Sequence, residues 1–333
     1  MPGVRRRGEE IRAFILNNIS NHRNIAAVTS QRFGISLPAV YKHIDRLVSE
    51  NQLVKEGNRF ALQYTSHNYM YRNDAALSED AVWEKDIKKH FSGVLPNVRH
   101  IWIYGFLEMF NNAIEHSGAQ KIRVEIRENK VLTCLTVSDN GIGIFNKIKT
   151  KFNLIDEKDA VLELAKGKRS TDTTRHSGQG IFFTSKIFDN FVIKSNGITF
   201  DTGRGENGHL AGKHKFSTLV CMCLANNSNK ILENVFDEFS TEIPGDFDKT
   251  IVPVHLANSS DLVSRSQARR VLGGLELFRE VILDFNGVEY IGQAFADEIF
   301  RVFAAMNTGT VIIAQNANAG IQSMINRAVN TKL

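Results

Sequence analysis

The tightest condition on the fold comes from ten residues, EMFNNAIEHS (108–117). At roughly 100° per residue, Ile103, Phe106, Leu107, Phe110 and Ile114 gather on one side of a helix, and Glu108, Asn112 and Glu115 gather on the other. The apolar stripe must face a core. The polar stripe faces water or a ligand that takes oxygen donors.

The 333-residue chain is long for one ordinary core, so two or three domains are expected. Its 42% hydrophobic and 23% charged residues fit a soluble globular protein. No apolar run is long enough to cross a bilayer: LVCMCLA (219–225) is strand-sized. The basic start lacks the apolar stretch of a signal peptide, so a cytoplasmic protein without membrane attachment is expected. Cys134, Cys221 and Cys223 are odd in number, and the last two form a C-x-C pair inside an apolar run. They read as buried small hydrophobes rather than a disulfide framework.

Charge is uneven. Residues 1–66 hold ten Lys and Arg against five Asp and Glu, which is the whole +5 excess of the chain. A basic segment beside a neutral body suggests a polyanion-binding module. Its pattern predicts helices over EEIRAFILNNI and NIAAVTSQRFG. A third, ISLPAVYKHIDRLVSENQL, has Ser36 as N-cap and Pro38 in its first turn. A hairpin follows around Glu56-Gly57-Asn58. That is the element order of a winged helix-turn-helix. Ser36, Tyr41, Lys42, His43 and Arg46 lie on or near the exposed side of its third helix, where they suit phosphate and base-edge contacts with double-stranded DNA. Residues 67–80 are polar and read as an irregular linker.

The middle block, 81–226, opens with a helix over AVWEKDIKKHF and then carries four features in order. The first is the helix with Glu108 and Asn112 at i, i+4. The second is SDNGIGI (138–144), after the alternating strands KIRVEIRE and VLTCLTV. The third is HSGQGIFFTSKIFD (176–189), and the fourth is STLV (217–220). A strand-end Asp139 can accept a hydrogen bond from an exocyclic amine. Gly141 and Gly143 let backbone approach a flat ring. Gly178 and Gly180, bracketing Gln179, open a helix whose N–H groups favour phosphate. The Asn112 amide oxygen suits Mg²⁺.

In this order the four stretches resemble the GHKL ATPases, the superfamily of gyrase, Hsp90, histidine kinases and MutL. EMFNNAIEHS looks like its N box, DNGIGI its G1 box, SGQGIFF its G2 box, and STLV its later Gly-Thr-x-Val motif with Ser217 in place of glycine. The resemblance covers about 95–224. It implies an α/β sandwich of the Bergerat type that binds ATP and Mg²⁺. By position it makes Asn112 the metal ligand, Asp139 the adenine-amine acceptor and Thr218 a support for the same network. Gly141, Gly143, Gly178 and Gly180 would shape the base and phosphate sites. Residues 145–177 would be a mobile lid bringing Lys166, Lys168, Arg169 and Arg175 near the triphosphate. Glu108 stands where hydrolysing and serine-phosphorylating members carry a general base. His90 and His100 lack the phosphoacceptor context of sensor histidine kinases.

The block 245–333 alternates strand and helix, as a small α/β layer fold does. VILDFNGVEYIGQAFADEIFRVF (281–303) resembles the phosphoacceptor region of STAS domains, partners of the anti-sigma-factor serine kinases that EMFNNAIEHS is closest to in flavour. Gln293 and Ala294 stand where those domains place a serine, so a docking role is implied rather than a phosphoacceptor. The expectation is an α/β multidomain regulator: winged helix-turn-helix, GHKL module and STAS-like domain. It would be a slow ATPase whose nucleotide state tunes DNA or partner binding. A serine/threonine kinase acting on a separate partner and a nucleotide-sensing scaffold without turnover are the alternatives, and a homodimer is left open.

Overall fold

Alternation in KIRVEIRE and LTCLTVSD places Ile122, Val124, Ile126, Leu135 and Val137 on one face of a sheet, and all five are buried. The computed structural model describes residues 2–19, 22, 24–168, 179–202, 216–257 and 262–330. These strands, β4 (Lys121–Glu128) and β5 (Leu132–Asp139), are joined at Asn129, whose side-chain oxygen accepts from Val131 and Leu132 N–H at 2.9 Å. They belong to a six-stranded antiparallel sheet with β3 (Thr65–Arg72), β6 (Asn190–Ser195), β7 (Ile198–Asp201) and β8 (Thr218–Ala225), in the order β3-β4-β5-β8-β6-β7. The stretch read as an irregular linker is therefore in part an edge strand. His67, Tyr69 and Tyr71 alternate with exposed Ser66, Asn68, Met70 and Arg72, a period-2 pattern that its polarity hides.

The N-terminal unit comprises α1 (Pro2–Asn18), α2 (Ile25–Phe33), α3 (Leu37–Ser49) and the hairpin β1 (Leu53–Glu56) and β2 (Arg59–Leu62). Asn24 caps α2, and Gly34 ends it at φ 61°. Ser36 caps α3 by accepting from Ala39 N–H. Ile11, Ile15, Ile19, Val40, Ile44 and Leu47 close a small core of their own.

AVWEKDIKKHF is mixed rather than one helix. After α4 (Glu79–Val82), a π-helical turn (Trp83–Ile87) passes into a 3₁₀ turn (Lys88–Phe91). This rotation buries Trp83, Ile87 and Phe91 together against the main helix α5 (Pro96–His116). α5 crosses the inner face of the sheet with Trp102, Phe106, Met109 and Phe110 against it. Much of the expected lid is folded: α6 (Ile144–Phe152) and α7 (Asp159–Lys166) bury Phe145, Ile148, Ala160 and Val161 in the same core. Arg169, Arg175 and Gly178 lie outside the described residues.

After α8 (Gln179–Ile187) and α9 (Leu232–Glu238), the C-terminal unit is a parallel sheet, β11-β10-β9, of β9 (Lys249–Pro253), β10 (Glu280–Asp284) and β11 (Val311–Gln315). Its helices are α10 (Arg265–Leu272), α11 (Gln293–Asp297), which runs on through a π-helical stretch into α12 (Ala304–Met306), and α13 (Ala319–Asn330). Its core is not closed: Leu162 of α7 and Phe182 and Phe183 of α8 are buried among Phe239, Phe247, Val252 and Val271. Lys166, 1% exposed, pairs with Glu163 at 2.6 Å and donates to the Arg270 and Gly273 carbonyls at the end of α10. These contacts hold its ammonium inside the protein. Among the described residues no helix is long and apolar enough to cross a membrane.

The cysteines depart from their reading. Cys221 and Cys223 are buried, but Cys223 is bonded to Cys134, which faces it directly across β5 and β8. Sequence separation hid the pair, since only the strand register brings residues 89 apart into opposition. Titration of the unreduced, denatured protein with a thiol reagent should give one free thiol, Cys221, and three after reduction. Three thiols without reduction would remove the bond.

Candidate functional site

A cavity of about 400 Å³ lies between α5, the start of α8 and the ends of β5 and β8. Glu108, Asn112, Asp139, Gly143, Gln179, Gly180 and Thr218 all line it. Tyr104, Asn111, His116 and Lys147 complete much of its polar wall, with Met109, Val137, Ile148, Phe183 and Val220 supplying an apolar floor.

Register builds the centre of this site. Asp139 and Thr218 are direct cross-strand partners at the end of the β5–β8 ladder, and both are buried. The Thr218 hydroxyl accepts from Ile144 N–H at 3.1 Å and donates to Asp139. Asp139 Oδ1 also accepts from Gly141 N–H at 2.8 Å. Burial dominates these two hydrogen bonds and pushes the carboxyl up to about 6. Asn140 acts outside the cavity, accepting from Gln120 and Lys121 N–H and so tying the end of β5 to the start of β4.

The glycines differ in what they allow. A Cβ on Gly141 would lie 2.1 Å from the Ser117 carbonyl oxygen, so the chain after β5 packs directly on the end of α5. Gly141 does not line the cavity; it sets the wall's position. Gly143 has φ +85° and faces Ser195 and Asn196. A Cβ on Gly180 would meet the Glu108 carboxylate at 1.9 Å, so the start of α8 lies against that carboxylate. Tyr104, one turn before Glu108, is held as the phenol by burial and then by the Glu108 charge.

Lys168 is not at the cavity. Its φ of +57° follows the turn at Gly167 and sends the ammonium to the Leu277 carbonyl, 2.7 Å away, and over the Phe278 ring. Among the described residues, a cation at the wall is Lys147, which donates to the His116 carbonyl at 2.9 Å. Sequence reasoning missed it. The signal was its i+4 spacing from Gly143 on a helix, which points it back toward the glycine. Glu115 is exposed and off the cavity.

On the N-terminal unit, Ser36, Tyr41, Lys42 and Arg46 are exposed, with Arg46 paired to Glu50 at 2.8 Å. His43 differs: it is half-buried beside Gly8 and Arg12 of α1. Burial, then the charges of Arg12 and Arg46, lower its pKa.

Residues 267–322 match the family model described as a STAS-like domain of unknown function (DUF4325). The C-terminal unit is STAS-like. The match runs from within α10 to the start of α13 and includes β10 and β11. α11 begins at Gln293 after Gly292, with no hydroxyl at its first two positions. No curated protein matches the chain.

Because the folded carboxyl at Asp139 holds its proton up to about pH 6, against 3.8 ordinarily, the folded state binds more protons in that window. Its contribution to stability is therefore highest below pH 4 and falls as pH rises to about 6, by a total on the order of 3 kcal/mol. Asp139→Asn removes this loss. Urea unfolding should show the variant gaining on wild type between pH 4 and 7; a constant difference would contradict the assignment.

Proposed function

We propose that the central cavity binds ATP with Mg²⁺ in the GHKL manner, in an α/β sandwich of the Bergerat type. The observation that carries this reading is the convergence of Glu108, Asn112, Asp139, Gly143, Gln179, Gly180 and Thr218, from four separate stretches of sequence, on one cavity wall. The donor set fits. Asp139, mostly ionised at neutral pH, is a buried acceptor suited to an exocyclic amine, and Thr218 and Gly141 hold it in place. The amide oxygen of Asn112 is a hard ligand of the kind magnesium accepts, and Lys147 supplies positive charge at the rim. Magnesium would neutralise phosphate charge when bound. Glu108, one turn before Asn112, is the carboxylate placed to take a proton from water or from a hydroxyl.

The wider reading is a regulator. The N-terminal unit acts as a winged helix-turn-helix that presents Tyr41, Lys42 and Arg46 to double-stranded DNA, and the STAS-like unit docks a protein partner. Slow hydrolysis would then set the balance between nucleotide states, and with it DNA or partner affinity. A kinase acting on a separate protein hydroxyl uses the same carboxylate.

Calorimetry with a non-hydrolysable ATP analogue should show uptake of one equivalent, weakened by at least tenfold in Asn112→Ala. No uptake by folded protein would end the proposal. Glu108→Ala should spare binding and abolish turnover. With labelled ATP, free phosphate in the absence of a partner identifies an ATPase, label on a protein hydroxyl identifies a kinase, and neither leaves a sensing scaffold. In filter binding, Lys42→Glu should weaken DNA uniformly across sequences and reduce the salt slope by about 1. Equal DNA affinity with ATP, ADP and no nucleotide would remove the coupling.

A further inference from the structure

The inner face of β4 runs Ile122, Val124, Ile126, and the next inward position is Glu128, a carboxylate where alternation calls for an apolar side chain. Two histidines meet it. His67 Nε2 lies 3.1 Å from Glu128 Oε1, and His90 Nδ1 lies 3.2 Å from the same oxygen. The three ligand atoms lie within 4.8 Å of one another. They come from β3, from the 3₁₀ turn Lys88–Phe91 and from the end of β4. The second nitrogen of His90, Nε2, is 2.8 Å from the Tyr69 hydroxyl.

We propose that His67, His90 and Glu128 bind a divalent transition-metal ion of the zinc class. Ligands at about 2.0–2.2 Å from such an ion stand about 3.3 Å apart along a tetrahedral edge, close to the two separations found. Two imidazoles and one carboxylate are a donor set that suits zinc and its neighbours and not magnesium or calcium. Tyr69 does what the outer partner of a metal-bound histidine does: with Nδ1 on the ion, Nε2–H donates to the phenol oxygen and fixes tautomer and ring plane.

His90 and Glu128 line a cleft that the central sheet shares with Glu50, Gln52 and Gln63 of the N-terminal unit. Three protein ligands leave a fourth position, and this cleft is where a water or a partner group reaches it. β3 begins three residues after β2 ends, so the ion would clamp the first strand beyond the N-terminal unit onto the sheet. The site is separate from the cavity between α5 and α8: among the described residues, none lines both.

The test is Zn²⁺ titration of the chelator-stripped full-length protein by calorimetry, with Co²⁺ as an optical probe. The expected result is one equivalent of Zn²⁺ and visible cobalt absorption of low-coordinate type. Both should be lost in Glu128→Gln and in His67→Asn, a substitution at a half-exposed edge-strand position chosen to keep the fold. Tyr69→Phe should keep the stoichiometry but weaken binding by about 10- to 100-fold. Asn112→Ala should bind Zn²⁺ as wild type does, which keeps this result distinct from nucleotide binding. Absence of stoichiometric uptake by wild type would overturn the proposal. So would wild-type affinity in His67→Asn.

Discussion

The register between β5 and β8 is the constraint on which the central unit rests. Paired as they are, Asp139 meets Thr218 on the helix-covered face and Cys134 meets Cys223 on the other. Strand side chains alternate with period two, so a slip of one residue would put the carboxylate outside and the cysteines in the core. The apolar inward set Leu135, Val137, Val220, Met222 and Leu224 forbids that slip, because it would expose the core layer to which α5 is fitted. Hydrophobic patterning thus fixes where the polar network stands, although it contributes no atom to it.

From this register the cavity follows by close approach of backbone. β5 leaves the sheet against the end of α5 because Gly141 has no Cβ to hold it off Ser117. α8 starts against Glu108 because Gly180 has none either. One wall therefore combines a helix face, a strand end and a helix start, each located by contacts outside the cavity. Asn140 and Ser217 contribute in the same way, through the tie to β4 and through the Ser217 N–H, which donates to the Asp139 carbonyl at 2.8 Å.

Much of this was legible from residues alone. Period and caps located α2, α3, α5, β4 and β5, and the element order of both terminal units was readable. Chemistry and spacing single out Glu108, Asn112 and Asp139, and the likeness of STLV to the Gly-Thr-x-Val motif singles out Thr218; all four line one cavity. What failed has a common cause. The pairing of Cys134 with Cys223, the strand in Thr65–Arg72 and the clustering of His67, His90 and Glu128 depend on neighbours distant in sequence. Local pattern sees one strand at a time, and β3, polar on its open side, has an inward face of His and Tyr instead of Ile and Val. The partners of Lys166 and Lys168 are hidden for the same reason, since they include carbonyls in the C-terminal unit.

α8 has only nine residues and carries two environments. Its first turn borders Glu108, while Phe182 and Phe183, one turn on, sit in the core of the STAS-like unit. A rod this short does not bend to absorb strain, so displacing either end moves both. Whatever fills the space beside Glu108 is therefore only a few ångströms of stiff backbone from the packing that holds β9 and α10 together.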